Sequence, residues 1–225
     1  MAYRQWERWA PIAGVLAVVC FAVALIVYGG SPDSGATDQK ITSYFADSSH
    51  QKQVIVGFFF LFAALLLLLV FLTGLRGRLV AAEGEGGRLS ALAFGGGVAS
   101  AVLLMAANAT GAAPAIAVND TGRFALDPNT YRLFNDLSYL LIISGVMTAI
   151  ALVATTSYLA LRTGAVFPRW FAWVGYYVAL TFVVAVFFIP LLILWLWILI
   201  ASLLMLLWRP SGAGATDAAP SPGTV

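Results

Sequence analysis

His50 is the one histidine of this 225-residue chain, and Asp47 stands three residues before it. On a helical turn that spacing brings a carboxylate to an imidazole, the equipment of general acid–base catalysis. Ser48 and Ser49 adjoin the pair, but no nucleophile stands at a spacing that couples it to the ring. A solvated loop histidine is the simpler reading. Arg132 and Asp136 are four apart, where a helix predicts a surface ion pair worth about 0.2–0.5 kcal/mol. Asn108 is the most polar side chain inside an apolar run, either a satisfied structural amide or one wall of an outward-facing pocket. Ser144, Thr148 and Thr155 fall along one helical face beside Gly145. They read either as the lining of a solute path or as hydroxyls bonded to backbone and neighbouring helices. With Tyr44, these residues form the candidate ligand-binding set: Tyr44, His50, Asn108, Arg132, Asp136, Ser144, Thr148 and Thr155.

Catalytic and metal-ligating residues do not emerge. Cys20 is the one cysteine, so it forms no internal disulfide and no thiolate cluster. One histidine and one cysteine, far apart in sequence, do not make a zinc site. Asp120, Asp127 and Asp136 lack the ligand spacing of a calcium loop. Gly84-Glu85-Gly86-Gly87 follows no strand and carries no Gly-Lys-Ser/Thr, so it reads as a flexible turn and not a phosphate loop. No cofactor is expected. A formal charge of +2 gives no electrostatic footprint for nucleic acid.

The elements that must carry these residues are membrane spans. Charged residues and histidine are absent from 11–30, 54–75, 89–119, 137–161 and 170–208. A bilayer core of roughly 30 Å takes about 20 helical residues, and a mid-membrane charge costs about 2.5–3.5 kcal/mol. The last run is about two crossings long, and Pro190 is its punctuation, so an outer hairpin is expected there. The expected spans are 11–29, 54–73, 89–110, 137–161, 169–188 and 190–208, an all-α six-helix bundle over residues 1–209. The first is expected to be an uncleaved span, longer than a signal-peptide core. The tail 210–225, rich in Pro, Gly, Ala and Ser, is expected to be disordered.

The joints alternate in charge. Arg4, Arg8, Arg76, Arg78, Arg88, Arg162, Arg169 and Arg209 fall on one side; acids predominate on the other, with Lys40, Lys52, Arg123 and Arg132. The positive-inside rule makes the arginine side cytoplasmic, with both termini inside. Trp6, Trp9, Trp170, Trp173 and Trp208 fall at that interface, whereas Trp195 and Trp197 sit deeper, for packing or lipid contact. In the first outer loop Ile41, Tyr44 and Phe45 share a helical face after Thr37 and Asp38, which predicts a short interfacial helix. Ser48 and Gln51 have capping-box spacing. In the second, Ala115–Val118 and Arg123–Leu126 flank a turn-forming Asn119-Asp120-Thr121-Gly122, a candidate β-hairpin. Asp127-Pro128 predicts a helix start. Small residues from Ala91 to Ala101 make the third span a packing centre, and Phe58–Phe60 with Leu65–Leu69 give the second a lipid-facing character.

Gly74-Leu75-Arg76-Gly77-Arg78-Leu79 leads to Arg88-Leu89-Ser90-Ala91-Leu92, and Leu161-Arg162-Thr163-Gly164 to Phe167-Pro168-Arg169-Trp170. These strings resemble a group of small bacterial six-helix integral membrane proteins gathered under a domain of unknown function. The resemblance covers about Trp6 to Trp208. It implies a shared bundle in a bacterial cytoplasmic membrane and brings no catalytic residues. Three functional classes follow from the residues. The first is a non-enzymatic module binding a lipid, an apolar ligand or a partner protein, including a second copy of itself. The second is a small transporter or channel subunit for a neutral solute, along the Ser144–Thr148–Thr155 face. The third is an enzyme acting at the outer surface through His50.

Overall fold

The computed structural model describes residues 2–84, 86–121 and 125–208. Gly122, Arg123, Phe124 and the tail 209–225 lie outside them, so the start of the second half of the expected hairpin and the expected disorder of the tail are not described. The fold is all-helical: α1 (Ala2–Tyr28), α2 (Asp38–Ala46), α3 (Ser48–Glu83), α4 (Arg88–Thr121), α5 (Pro128–Thr163), α6 (Arg169–Thr181), a 3-10 turn (Phe182–Val184) and α7 (Ile189–Leu207). Among the described residues there is no strand. Five helices, α1, α3, α4, α5 and α7, are long and apolar enough to cross a membrane. By length and composition these five are candidate membrane spans, consistent with a helical membrane bundle.

Three helices overshoot the expected spans because the sequence offers nothing to stop them at the membrane boundary. α3 and α5 have 36 residues each and α4 has 34, roughly 50–54 Å of helix against a core of about 30 Å. The excess of α4 replaces the expected β-hairpin. Its alanine-rich end carries helix through Ala115–Val118 to Thr121, despite Pro114 in its interior. The expected capping box at Ser48 is also corrected. Asp47 is the N-cap of α3, its carboxylate accepting from the Ser49 amide at 2.8 Å and the Ser49 hydroxyl at 2.5 Å. Gln51 instead donates its side-chain amide to the Phe45 carbonyl at 2.7 Å, tying α3 to α2. The expected starts of α2 and α5 are observed: Thr37 caps the Lys40 amide, and Asp127 caps that of Thr130 with Pro128 in the first turn.

The final uncharged run breaks before Pro190, not at it. α6 ends after 13 residues, the 3-10 turn and bends follow, and Pro190 lies in the first turn of α7. There its missing N–H and fixed φ cost nothing. α6 with its 3-10 turn is the shortest of the apolar helical segments at Arg169–Val184. It runs antiparallel to both neighbours, with Gly175 against Ser157 and Trp197, and the Tyr139 hydroxyl donating to the Val186 carbonyl nearer the tip.

Close packing rests on small residues, as the sequence predicts. A Cβ at Gly96 would meet Ala151 Cβ at 2.7 Å and the backbone of Leu152 and Thr148 at 3.1 Å, so α4 and α5 touch backbone to backbone. Gly74 admits Ala10 of α1, and Gly14 admits Ser202 of α7. α3 is not the lipid-facing helix expected. Leu65, Leu68, Phe71 and Leu72 are buried in the main core, leaving Phe59, Phe60 and Leu66 exposed. Trp195 and Trp197 are buried packing residues; Trp9, Trp170 and Trp173 are exposed.

The two ends of the bundle differ. One carries α2 and the turns at 29–37 and 125–127, and is called the α2 end below. The other holds the α3–α4 turn, where three glycines take positive φ. Glu83 organises that turn. Its carboxylate accepts from the Leu89 amide at 2.9 Å, the Ser90 amide at 2.8 Å and the Ser90 hydroxyl at 2.6 Å, capping α4 from the end of α3. Arg78 there donates to the Met205 carbonyl at 2.5 Å, and Arg76 lies 5.2 Å from the Phe94 ring centre.

Candidate functional site

Beneath α2 the helices part around a cavity of about 290 Å³. α1 contributes Phe21, Leu25 and Tyr28, α3 contributes Val54, Leu61 and Leu65, and α7 contributes Leu191 and Trp195. The polar part of the wall comes from α4 and α5: Asn108, Tyr131, Asn135 and Ser138. Phe45 of α2 and Ser31 of the preceding turn close the α2 end, and Phe188 reaches in from the break before α7. The volume sits at the low end of the roughly 300–1,000 Å³ of ligand pockets, and a mostly apolar wall with a few polar groups is their usual chemistry.

Most polar groups on the wall are already committed. Asn108 is buried in α4; its amide donates to the Phe58 carbonyl at 3.0 Å and its Oδ1 accepts from the Tyr28 hydroxyl at 3.0 Å. Ser138 donates to the Ala107 carbonyl at 2.8 Å, and Tyr131 to the Pro32 carbonyl. These bonds tie α4 to α1 and α3, α5 to α4, and α5 to the first loop. Two groups differ. The side chain of Asn135 makes no hydrogen bond among the described residues. Trp195 is 2% exposed and stacks on Phe21 at 4.4 Å, yet its indole N–H has no acceptor. A buried donor left unpaired costs about 1–3 kcal/mol.

The lid over the cavity is clamped by Arg132. Its guanidinium donates to the Ser34 carbonyl at 3.1 Å, the Ala36 carbonyl at 2.8 Å, Asp38 at 2.7 Å and Asn129 at 3.0 Å. The expected pair with Asp136 is thus corrected: Arg132 bridges to the first loop, where a fork of donors meets two carbonyls and a carboxylate, and Asp136 stays exposed. Tyr44 stacks on His50 at 4.3 Å and 8°, and its hydroxyl lies 3.2 Å from that of Ser31. His50 Nδ1 is 3.3 Å from the Tyr44 carbonyl and 3.8 Å from Asp47. Tyr44 thus holds the ring on the lid, outside the cavity wall, and the Asp47 carboxylate has its nearer partners in Ser49. The two hydrogen bonds from Ser49, that of the side chain foremost, hold the Asp47 carboxyl below its ordinary value.

The hydroxyl stripe of α5 does not reach the cavity. Ser144 is exposed and donates to the Leu140 carbonyl at 2.9 Å, Thr148 donates to that of Gly145 at 2.8 Å, and Thr155 is buried. Both bonded hydroxyls serve their own helix. Of the eight candidates, the structure brings Asn108 to the cavity wall, sets Arg132, Tyr44 and His50 in and around its lid, and leaves the other four apart. Sequence reasoning missed Tyr28, Asn135 and Trp195. Asn135 stands three residues from Ser138 and four from Tyr131 in the polar start of α5, and that cluster was the available signal. Among the described residues no group of histidine, cysteine and acids is disposed to hold a metal ion. No protein-family model matches the chain, and neither does any curated protein or solved structure.

Proposed function

We propose that this protein is a non-enzymatic ligand-binding module of a bacterial cytoplasmic membrane. It crosses six times with both termini inside and holds a neutral apolar molecule in the cavity beneath α2. The observation that carries the reading is the wall itself: an apolar chamber of about 290 Å³ roofed by Phe45, with no charged side chain on it. A charged head group would be stranded there without a counter-ion, whereas a lipid-like or other apolar molecule gains by leaving its alternatives. The six-crossing topology draws support from the antiparallel course of α6 and from arginines that predominate at one end while acids predominate at the other. The same map puts the cavity in the outer half of the bundle, under a lid on the outer surface. It also fits the resemblance to small six-helix bacterial membrane proteins.

Mass spectrometry of organic extracts from protein purified in mild detergent tests the reading. Wild type should carry a neutral apolar compound in stoichiometric amount. Ala107→Phe, which fills the chamber from a buried wall position in α4, should carry far less. Equal amounts on both proteins, or none on wild type, would count against it.

A further inference from the structure

The cavity is closed more firmly toward α2 than on its α1–α7 flank. Under α2, Ile41, Phe45, Val54, Ala112, Ala115 and Tyr131 pack into a buried apolar cluster. Side chains fasten that cover: Arg132 bonds the Ser34 and Ala36 carbonyls, Tyr131 that of Pro32, and Gln51 that of Phe45. Lifting α2 would wet the cluster and strand those carbonyls together. The flank is built differently. α1 and α7 touch where Gly14 admits Ser202, and further toward α2 the rings of Phe21 and Trp195 stack between them. One helical turn beyond that pair stand Leu25 on α1 and Leu191 on α7, with Phe188 next along the chain. The wall residues Leu65, Leu104, Leu191 and Trp195 are at most 6% exposed, so facing the chamber leaves a side chain little accessible surface. Leu25 and Phe188 face it too, yet are 36% and 42% exposed. Each therefore has a second face outside the bundle and stands at the rim of the chamber.

We infer that the cavity opens sideways into the lipid leaflet, through a window between Leu25 and Phe188, and takes its ligand as a hydrocarbon chain slid in from that leaflet. This deepens the binding reading above and rests on it. Outside the rim the surface is apolar, with Ile26, Phe187 and Ile189 exposed, so the window meets hydrocarbon and not water. A chain crossing it passes from lipid to an apolar wall without being hydrated on the way. Phe188 is the movable edge. It lies in the bend before α7, and no side-chain hydrogen bond caps the helix there. Any polar end of the ligand stays outside, since the wall offers no charge to receive one.

Photolabelling of the full-length protein in proteoliposomes tests the window with two probes. One is hexadecanol with a diazirine at its chain end, free to enter by any route. The other is a phosphatidylcholine carrying the same diazirine chain, whose head group is held at the membrane surface and cannot pass under α2. Peptide mass spectrometry reads labelling of the inner wall at Leu65 and Leu104, relative to the exposed Leu66. Both probes should label the inner wall. Leu25→Trp, on an exposed position where the fold tolerates bulk, should cut inner-wall labelling by the anchored probe about 5-fold or more, and Phe188→Ala should raise it. Arg132→Leu, which loosens the cover, should leave it within about 2-fold. Inner-wall labelling by the free probe alone, or anchored labelling that Leu25→Trp does not reduce, overturns the window and leaves the cavity reading standing. If neither probe labels the inner wall of wild type, both fall together.

Discussion

At the scale of single residues, the lid hangs on one side chain. Arg132 reaches across from α5 to the carbonyls of Ser34 and Ala36, groups that have no helix to satisfy them. Its contact with Asp38 is to an exposed carboxylate and adds little. Arg132→Leu should therefore loosen α2 by about 1–3 kcal/mol, the cost of part-buried carbonyls losing a charged donor. Hydrogen exchange of the amides from 37 to 46 should rise while those of α4 stay protected. Arg132→Lys should recover little, since a single ammonium cannot reach both carbonyls in the geometry of the fork. Asp47 gives the pH dependence. Its carboxyl is held below the ordinary value of 3.8 in the folded protein, so the cap on α3 contributes fully above that value. The contribution is lost as pH falls through the lowered folded-state value, when the carboxylate takes up a proton. Amide exchange at Ser49–Gln51, corrected for intrinsic rate, should accelerate on acidification in wild type. In Asp47→Ala it should be fast throughout. An unchanged acid profile in that variant would contradict the assignment.

At the scale of elements, adjacent glycines in α4 separate packing from propensity. Gly96 lies on the backbone of α5, whereas a Cβ at Gly95 would meet nothing within 4 Å. Gly96→Ala should force the two helices apart and cost about 1–3 kcal/mol, lowering the melting temperature in detergent. Gly95→Ala should be neutral or stabilise by up to about 1 kcal/mol, through helix propensity alone. The stripe of small residues made this contact visible in the sequence; which glycine faces the partner was not, because Gly95, Gly96 and Gly97 offer identical signals. The same limit explains the other element-level differences. Helix periodicity located Ile41 and Phe45 on the buried side of α2, and Asp127-Pro128 marked the start of α5. The turn residues Asn119 and Asp120 nevertheless ended up in α4, since alanines on their N-terminal side carry the helix past them.

At the scale of the whole molecule, hydrophobic run length made the all-helical membrane architecture legible, and charge at the joints marked the two ends of the bundle. The cavity was legible only at Asn108, because its wall is assembled from six helices and two connecting turns and its apolar residues look like any other membrane core. Side is the matter that labelling decides. Cys20 lies half-buried along α1, leaving an engineered thiol as the accessible one. Ser43→Cys, exposed on α2, should react with an impermeant maleimide on intact cells, and protection there with labelling only after lysis would invert the topology. The account as a whole turns on what fills the space between Phe21, Asn108 and Trp195. An experimental structure of the protein in nanodiscs of its native lipid tests this most directly. The account predicts elongated non-protein density there, lying along the apolar wall of Leu61, Leu65 and Leu191. Side chains collapsed into the space, or isolated waters filling it, would contradict it.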